Sequence, residues 1–159
     1  MAVDITKISA IQKHFSGLVG CPIRRYHTAE LNLADGTWVS WPDLPIRVYA
    51  ESGAMVAVSW ARFDDLWLAN DESLPFDAED ATTRWVENGI GQINGCLGRV
   101  ICGVMLGREG MTWGGSQIEI WTRLLIDLDD CWLEIVNALD ENGYAFHTTM
   151  PIGEFVKCL

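Results

Sequence analysis

The stretch IRVYAESGAMVAVSWA, residues 46–61, decides the fold class. Two short runs rich in Val and Ile flank Glu51-Ser52-Gly53, a three-residue connection that ends in glycine. That pattern is a β-hairpin, with strands over 46–50 and 54–61. The same grammar continues upstream. Leu31 and Leu33 alternate with polar residues, Asp35-Gly36 supplies a tight turn, and Thr37 to Trp41 returns as a strand. Pro42 and Pro45 then place that strand at an edge or bend it. Leu66 to Ala69 forms one more short strand. Ahead of these strands, residues 4–17 have helical periodicity. Asp4 is the N-cap, Ile5, Ile8, Ile11, Phe15 and Leu18 recur at helical spacing, and Gly17, Gly20 and Pro22 end the helix.

Beyond the hairpins, residues 70–80 are polar and acidic and contain Pro75, which predicts a long surface loop. Trp85, Val86, Ile90 and Ile93 predict a second helix over 81–94, with Gly89 and Gly91 each weakening it by about 1 kcal/mol. Strands are expected over 99–106, 117–128, 131–139 and 144–147, the last two joined by the turn Asp140-Glu141-Asn142-Gly143. The expected fold is a single α+β domain spanning 1–159, with two helices packed on antiparallel β-sheet. Ile8, Ile11, Phe15, Val56, Val58, Trp60, Ile126, Leu133 and Ile135 are its expected core.

A shift of 78 positions superposes Gly17 on Gly95, Gly20 on Gly98, Ile23 on Ile101, Gly36 on Gly114 and Val58 on Val136. Two similar halves, each a helix followed by a strand meander, account for this echo. They span 4–69 and 81–147 and are joined by the acidic loop 70–80. Two unrelated segments sharing a helix-then-strand order account for it as well.

Composition sets further bounds. Hydrophobic residues make up 49% and charged residues 21% of 159 residues, enough apolar side chain for a packed core. A formal charge of −11 argues against nucleic acid, whose phosphates require clustered Lys and Arg, and against anionic membrane surfaces. The five cysteines are odd in number and none is spaced as a zinc knuckle or redox pair, so reduced thiols and a cytoplasmic location are expected. The first residues, with Asp4, Lys7 and Lys13, do not read as a signal peptide.

No reaction chemistry stands out. His14, His27 and His147 lie at no metal-binding spacing. Asp127, Asp129 and Asp130 lack the offsets and glycine of a calcium loop and suit a hairpin turn. Cys131 beside Asp130, with His147 downstream, could be written as a nucleophile and base. Strand alternation makes a buried structural thiol the simpler role for it. Gly89-Ile90-Gly91 and Gly114-Gly115 do not match a phosphate-cradling fingerprint. The expectation is therefore a non-enzyme with no cofactor and no metal.

The charge is concentrated instead. Asp64, Asp65, Asp71, Glu72, Asp77, Glu79 and Asp80 lie between residues 63 and 83 with no basic residue among them. A second zone, 124–156, holds Asp127, Asp129, Asp130, Glu134, Asp140, Glu141 and Glu154, again without Lys or Arg. Trp67 and Phe76 in the first zone and Trp132 in the second interleave with these charges. A solvated surface explains the zones, and so does an interface with aromatic anchors ringed by charge. On the interface reading the contact residues are Asp64, Asp65, Trp67, Asp71, Glu72, Phe76, Asp77, Glu79, Asp80, Asp129, Asp130, Asp140 and Glu141. Their partner is a basic protein.

A small, acidic, tryptophan-rich domain without catalytic residues, with Gly-x-x-Gly at Gly17/Gly20 and Gly95/Gly98 between helix and strand, resembles the immunity proteins of bacterial polymorphic-toxin systems. The resemblance implies a stoichiometric inhibitor that covers the active site of a toxin, often a basic nuclease, and carries over no residue role. The rival expectation is a small enzyme or ligand-binding domain with a tryptophan-lined pocket. Oligomeric state stays open.

Overall fold

The computed structural model describes residues 4–62, 64–78 and 82–159. Asp4 caps the helix α1 (Ile5–Phe15) by accepting a hydrogen bond from the Lys7 amide at 3.1 Å. Ile11 and Phe15 are fully buried, and with Leu18 they enter one core shared with Trp60, Val58, Leu124 and Ile135. Of the expected core residues, all but Ile8 are fully buried, and Ile8 packs against the others half-buried.

The rest of the chain is mostly strand. β1 (Ile23–Asn32), β2 (Trp38–Ser40), β3 (Ile46–Ala50), β4 (Met55–Ala61), β5 (Asp65–Ala69) and β6 (Thr83–Glu87) form one antiparallel sheet. β7 (Gly103–Trp113), β8 (Ser116–Asp127), β9 (Trp132–Asn137), β10 (Asn142–His147) and β11 (Glu154–Lys157) form the other. The architecture is compatible with α+β at the coarse level.

The second expected helix is not there. Its span holds β6 and a 3-10 helix, Gly91–Cys96, with Ala81 outside the described residues. Two causes are physical. Thr83, Trp85 and Val86 are strand formers, and Gly89 and Gly91 deny a helix its interior. The free edge of β1 supplies the backbone partners that a helix would otherwise supply to itself. β11, near the end of the sequence, was not expected at all.

Strand order is the same in both sheets. His27 pairs with both Arg47 and Glu87, and Glu30 with both Ser40 and Arg84. β6 therefore lies on one edge of β1, and β2 and β3 lie together on the other, interrupted by Pro42 and Pro45. The first sheet runs β6-β1-β3-β4-β5 and the second β11-β7-β8-β9-β10. The first pairings also share a register at the 78-residue shift. Tyr26 faces Val48 and Val104 faces Ile126; His27 faces Arg47 and Met105 faces Leu125. Because β6 closes the first sheet and β11 the second, the strand orders divide the chain after β6. The division 4–69 and 81–147 would leave each sheet without its closing strand.

The two sheets meet where Pro22 bridges Val100, and these positions are themselves 78 apart. Gly20 donates to the Ile101 carbonyl at 2.7 Å and Gly98 donates to the Ile23 carbonyl at 2.8 Å. Ile23 donates to the Arg99 carbonyl and Ile101 to the Cys21 carbonyl. Gly20 at φ +88° and Gly98 at φ +78° make this exchange possible, in a region that side chains with a Cβ disfavour.

Phe15→Ala should destabilise the chain by about 3–5 kcal/mol, because the fully buried ring reaches the shared core. Urea unfolding followed by tryptophan fluorescence measures it, and a midpoint equal to the parent's would show that α1 adds nothing to the core.

Candidate functional site: the outer face of the first sheet

Alternation along β3 and β4 puts Ile46, Val48, Val56 and Val58 toward the core and Arg47, Tyr49, Ala57 and Ser59 on the outer face. An outer face open to water would leave these residues exposed. Instead Ala57 and Ser59 are fully buried and Arg47 is 5% exposed. The covering elements are the Trp41–Pro45 corner and the acidic segment 70–78. Asp43 accepts a hydrogen bond from the Ser59 hydroxyl through its carbonyl. Arg47 donates from Nη2 to the Glu72 carbonyl at 2.8 Å, and its guanidinium lies 3.6 Å from the Trp85 ring centroid.

The second sheet repeats this clasp. Arg123 donates from Nη1 to the Ile152 carbonyl at 2.9 Å and stacks over Phe155 of β11 at 4.7 Å. In each sheet, then, an arginine on the outer face grips the crossover segment and rests on an aromatic ring of the closing strand. The clasps differ at Nε. Arg123 Nε meets the buried carboxylate of Glu134 at 2.5 Å, whereas Arg47 Nε is buried with no partner. An orphaned buried donor costs about 1–3 kcal/mol.

The acidic zones look different in three dimensions. Asp64 faces Lys7 Nζ at 3.4 Å, Glu154 pairs with Arg108, and Glu134 is held by Arg123 and by His147 Nε2 at 2.8 Å. The expectation of zones without counter-charge is therefore corrected: distant strands bring basic groups that local sequence does not contain. Asp65, Asp71, Glu72 and Asp77 are exposed. The Ser73 side chain and amide hold Asp71 below the usual carboxylate range. Trp67, opposite Ser59, is half-buried. Glu79 and Asp80 lie outside the described residues.

The second zone divides. Asp129 and Asp130 form the β8–β9 turn at φ near +58° and +59°, and Asp140 and Glu141 lie at the β9–β10 turn. The length of β9 separates these ends by roughly 20 Å. The second pair joins the first sheet: the Asn142 amide donates to the Pro42 carbonyl at 2.9 Å. Beside Pro42, Trp41 packs edge-on against Phe76 at 6.0 Å and donates from Nε1 to Asp43 at 3.4 Å. Phe76, Leu74 and Val39 are each about 40% exposed (41%, 37% and 37%). One region thus combines Trp41, Phe76 and the exposed carboxylates of Asp43, Asp77 and Asp140. Trp41 and Asp43 were not expected there. Pro42 and Pro45 around them were the available signal, since a corner that cannot join the ladder projects its side chains.

Two clefts accompany this face. One, of about 290 Å³, lies between α1 and the β3–β4 turn, beside His14 and Asn70. The other, of about 380 Å³, is bounded by Ser40, Pro42, Gly89, Gln92, Asn142 and Tyr144. Neither has a tryptophan, Cys131 or His147 in its wall. Cys131 is 2% exposed, and burial pushes its thiol above the ordinary value, which disfavours the nucleophilic thiolate. Among the described residues no group of His, Cys, Asp or Glu is arranged to hold a metal, and no helix is long and apolar enough to cross a membrane. No family model, curated protein or solved structure matches the chain.

Glu134 ties acid stability to the second clasp. Burial alone would raise its carboxyl, but the hydrogen bonds and charges of Arg123 and His147 outweigh that and lower it. A carboxyl lowered by folding stabilises above its unfolded value and loses that contribution as pH falls through its folded value. Stability should therefore decline below about pH 4.5, the ordinary glutamate value, and Glu134→Gln should flatten that decline. Urea midpoints measured from neutral pH down to about pH 3 test this. An unchanged acid limb in the variant would assign the decline to other carboxylates.

Proposed function

We propose that this chain is a cytoplasmic, non-catalytic inhibitor of immunity type, which binds and covers a basic toxin domain. The observation that carries this reading is the aromatic pair of half-buried Trp41 and exposed Phe76 beside the exposed carboxylates of Asp43, Asp77 and Asp140, with Asp71, Glu72 and Glu141 in the adjoining segments. Aromatic anchors inside a charged rim supply binding energy and steering respectively. A basic nuclease groove accepts a polyanion, and an acidic protein surface is complementary to it. Asp65 belongs to the outlying part of this field. Asp129 and Asp130, at the far end of β9, contribute to long-range steering and not to the contact.

The matching strand orders and the reciprocal bonds at Pro22 and Val100 support a second proposal, that the two halves arose by tandem duplication. On that reading the Trp41 corner is what the first half gained, since β8 continues as one strand through the corresponding span of the second.

The test is association with a basic toxin domain encoded beside this chain, measured at two ionic strengths. Reversing Asp43, Asp71, Asp140 and Glu141 to Lys should slow association by about tenfold or more at low salt and leave the fold intact. Phe76→Ala should act mainly on dissociation, at a cost of about 1–2 kcal/mol or more. Tight binding that ignores salt and all of these changes would place the contact elsewhere.

A further inference from the structure

The cleft between β2 and β10 adjoins the aromatic and acidic face, and its walls come from both halves of the chain. Ser40 belongs to β2 and Pro42 to the corner that follows it, Asn142 and Tyr144 to the second sheet, and Gly89 and Gln92 to the segment between them. Its walls are uncharged. Its structure is rigidly supported. Asn142 is 4% exposed and accepts from the Trp60 amide while donating to the Val58 carbonyl and to the Tyr144 hydroxyl. Beneath Ile90, another wall residue, the Tyr26 hydroxyl bonds both the Ile90 carbonyl and the Ile90 amide at 2.9 Å.

Carboxylates adjoin the walls of this cleft, while Arg84 and Arg25 on the strands beside it are paired with Glu30 and Glu87. Asp43 follows Pro42, and Asp140 and Glu141 precede Asn142, whose amide is bonded to the Pro42 carbonyl. Glu141 acts on Tyr144 directly, adding to the burial that pushes the phenol above its ordinary range. The phenol thus stays neutral and offers an oxygen lone pair, as do the Ser40 hydroxyl and the Gln92 amide. Hydroxyl and amide oxygens that can accept, carboxylates beside them and no basic group in the wall suit a guest that donates and carries positive charge. Guanidinium has five such donors and no acceptor.

We propose that this cleft receives one arginine side chain of the basic partner. The inference rests on the proposed function, since it names the partner group that the acidic face orients. The flat part of the guanidinium enters between Ser40 and Tyr144, and Asp43 and Glu141 balance its charge.

The experiment titrates the full chain with the blocked peptide acetyl-Gly-Arg-Gly-amide and with its citrulline counterpart, which has nearly the same shape and no charge. Backbone amide shifts are followed by NMR at low ionic strength. Saturable shifts centred on Ser40, Gly89, Gln92 and Tyr144, with the citrulline peptide at least about tenfold weaker, are the expected result. Asp43→Asn combined with Glu141→Gln should remove the response while the spectrum stays dispersed. Equal affinity for the two peptides overturns the proposal. So do shifts spread over Asp65, Asp129 and Asp130 as strongly as over the cleft. Toxin binding without an arginine response sinks the cleft alone; an arginine response without toxin binding leaves the cleft and removes the inhibitor reading.

Discussion

Four backbone hydrogen bonds join the segments around Pro22 and Val100, and the architecture depends on them. They fasten the start of one sheet to the start of the other, so the two inner faces cannot slide independently. Each segment both gives and receives. Pro22, which has no N–H, occupies a position from which nothing needs to be donated, and its own carbonyl accepts from Glu51. From this junction β1 and β7 leave in related directions. β7 collects three strands on one edge and a closing strand on the other, β1 does the same with short β2 lying beside β3, and Trp60, Leu124 and Ile135 fill the apolar space between.

The junction also separates what local sequence encodes from what only the folded chain brings together. Hairpins built from local alternation and strong turns were legible: Asp35-Gly36, Glu51-Ser52-Gly53 and Asp140-Glu141 all lie between paired strands, the last with Asn142 and Gly143 opening β10. β6 was not, because its strand character is completed by β1, more than fifty residues earlier in the chain. Trp85 and Val86 at adjacent positions satisfy a helical stripe as readily as a strand with one side chain on each face. β11 is four residues long, and Phe155 and Val156 alone give it too little pattern to identify. Gly20 and Gly98 were readable as helix stops, but their exchange of hydrogen bonds required knowing that the two stops touch.

The site was legible in composition and not in geometry. Counting charge along the chain located the acidic segment 70–80 and Phe76, and it also overestimated the isolation of those charges. Lys7 reaches Asp64 from α1, and Arg123 reaches Glu134 from a neighbouring strand. Salt bridges between strands leave no trace in a local window. Trp41 and Asp43 escaped for a related reason. Trp41 reads as the end of a strand that in fact stops at Ser40, Asp43 lies outside both acidic zones, and only the folded corner brings them to Phe76.

The unequal arginine clasps have a consequence for how such a chain can diverge. The crossover of the second sheet hangs by the Ile152 carbonyl from Arg123, which is itself held by Glu134, a carboxylate that His147 also holds, so a change at Arg123 strains several partners at once. The first crossover hangs from Arg47 by a bond to a main-chain carbonyl, which any residue at position 72 can provide. The clasp itself therefore fixes no side chain at position 72, whereas Asn70 is tied to His14 and Met55 and Phe76 packs on Trp41. Substitution at position 72 can thus proceed while the double sheet beneath remains as it is.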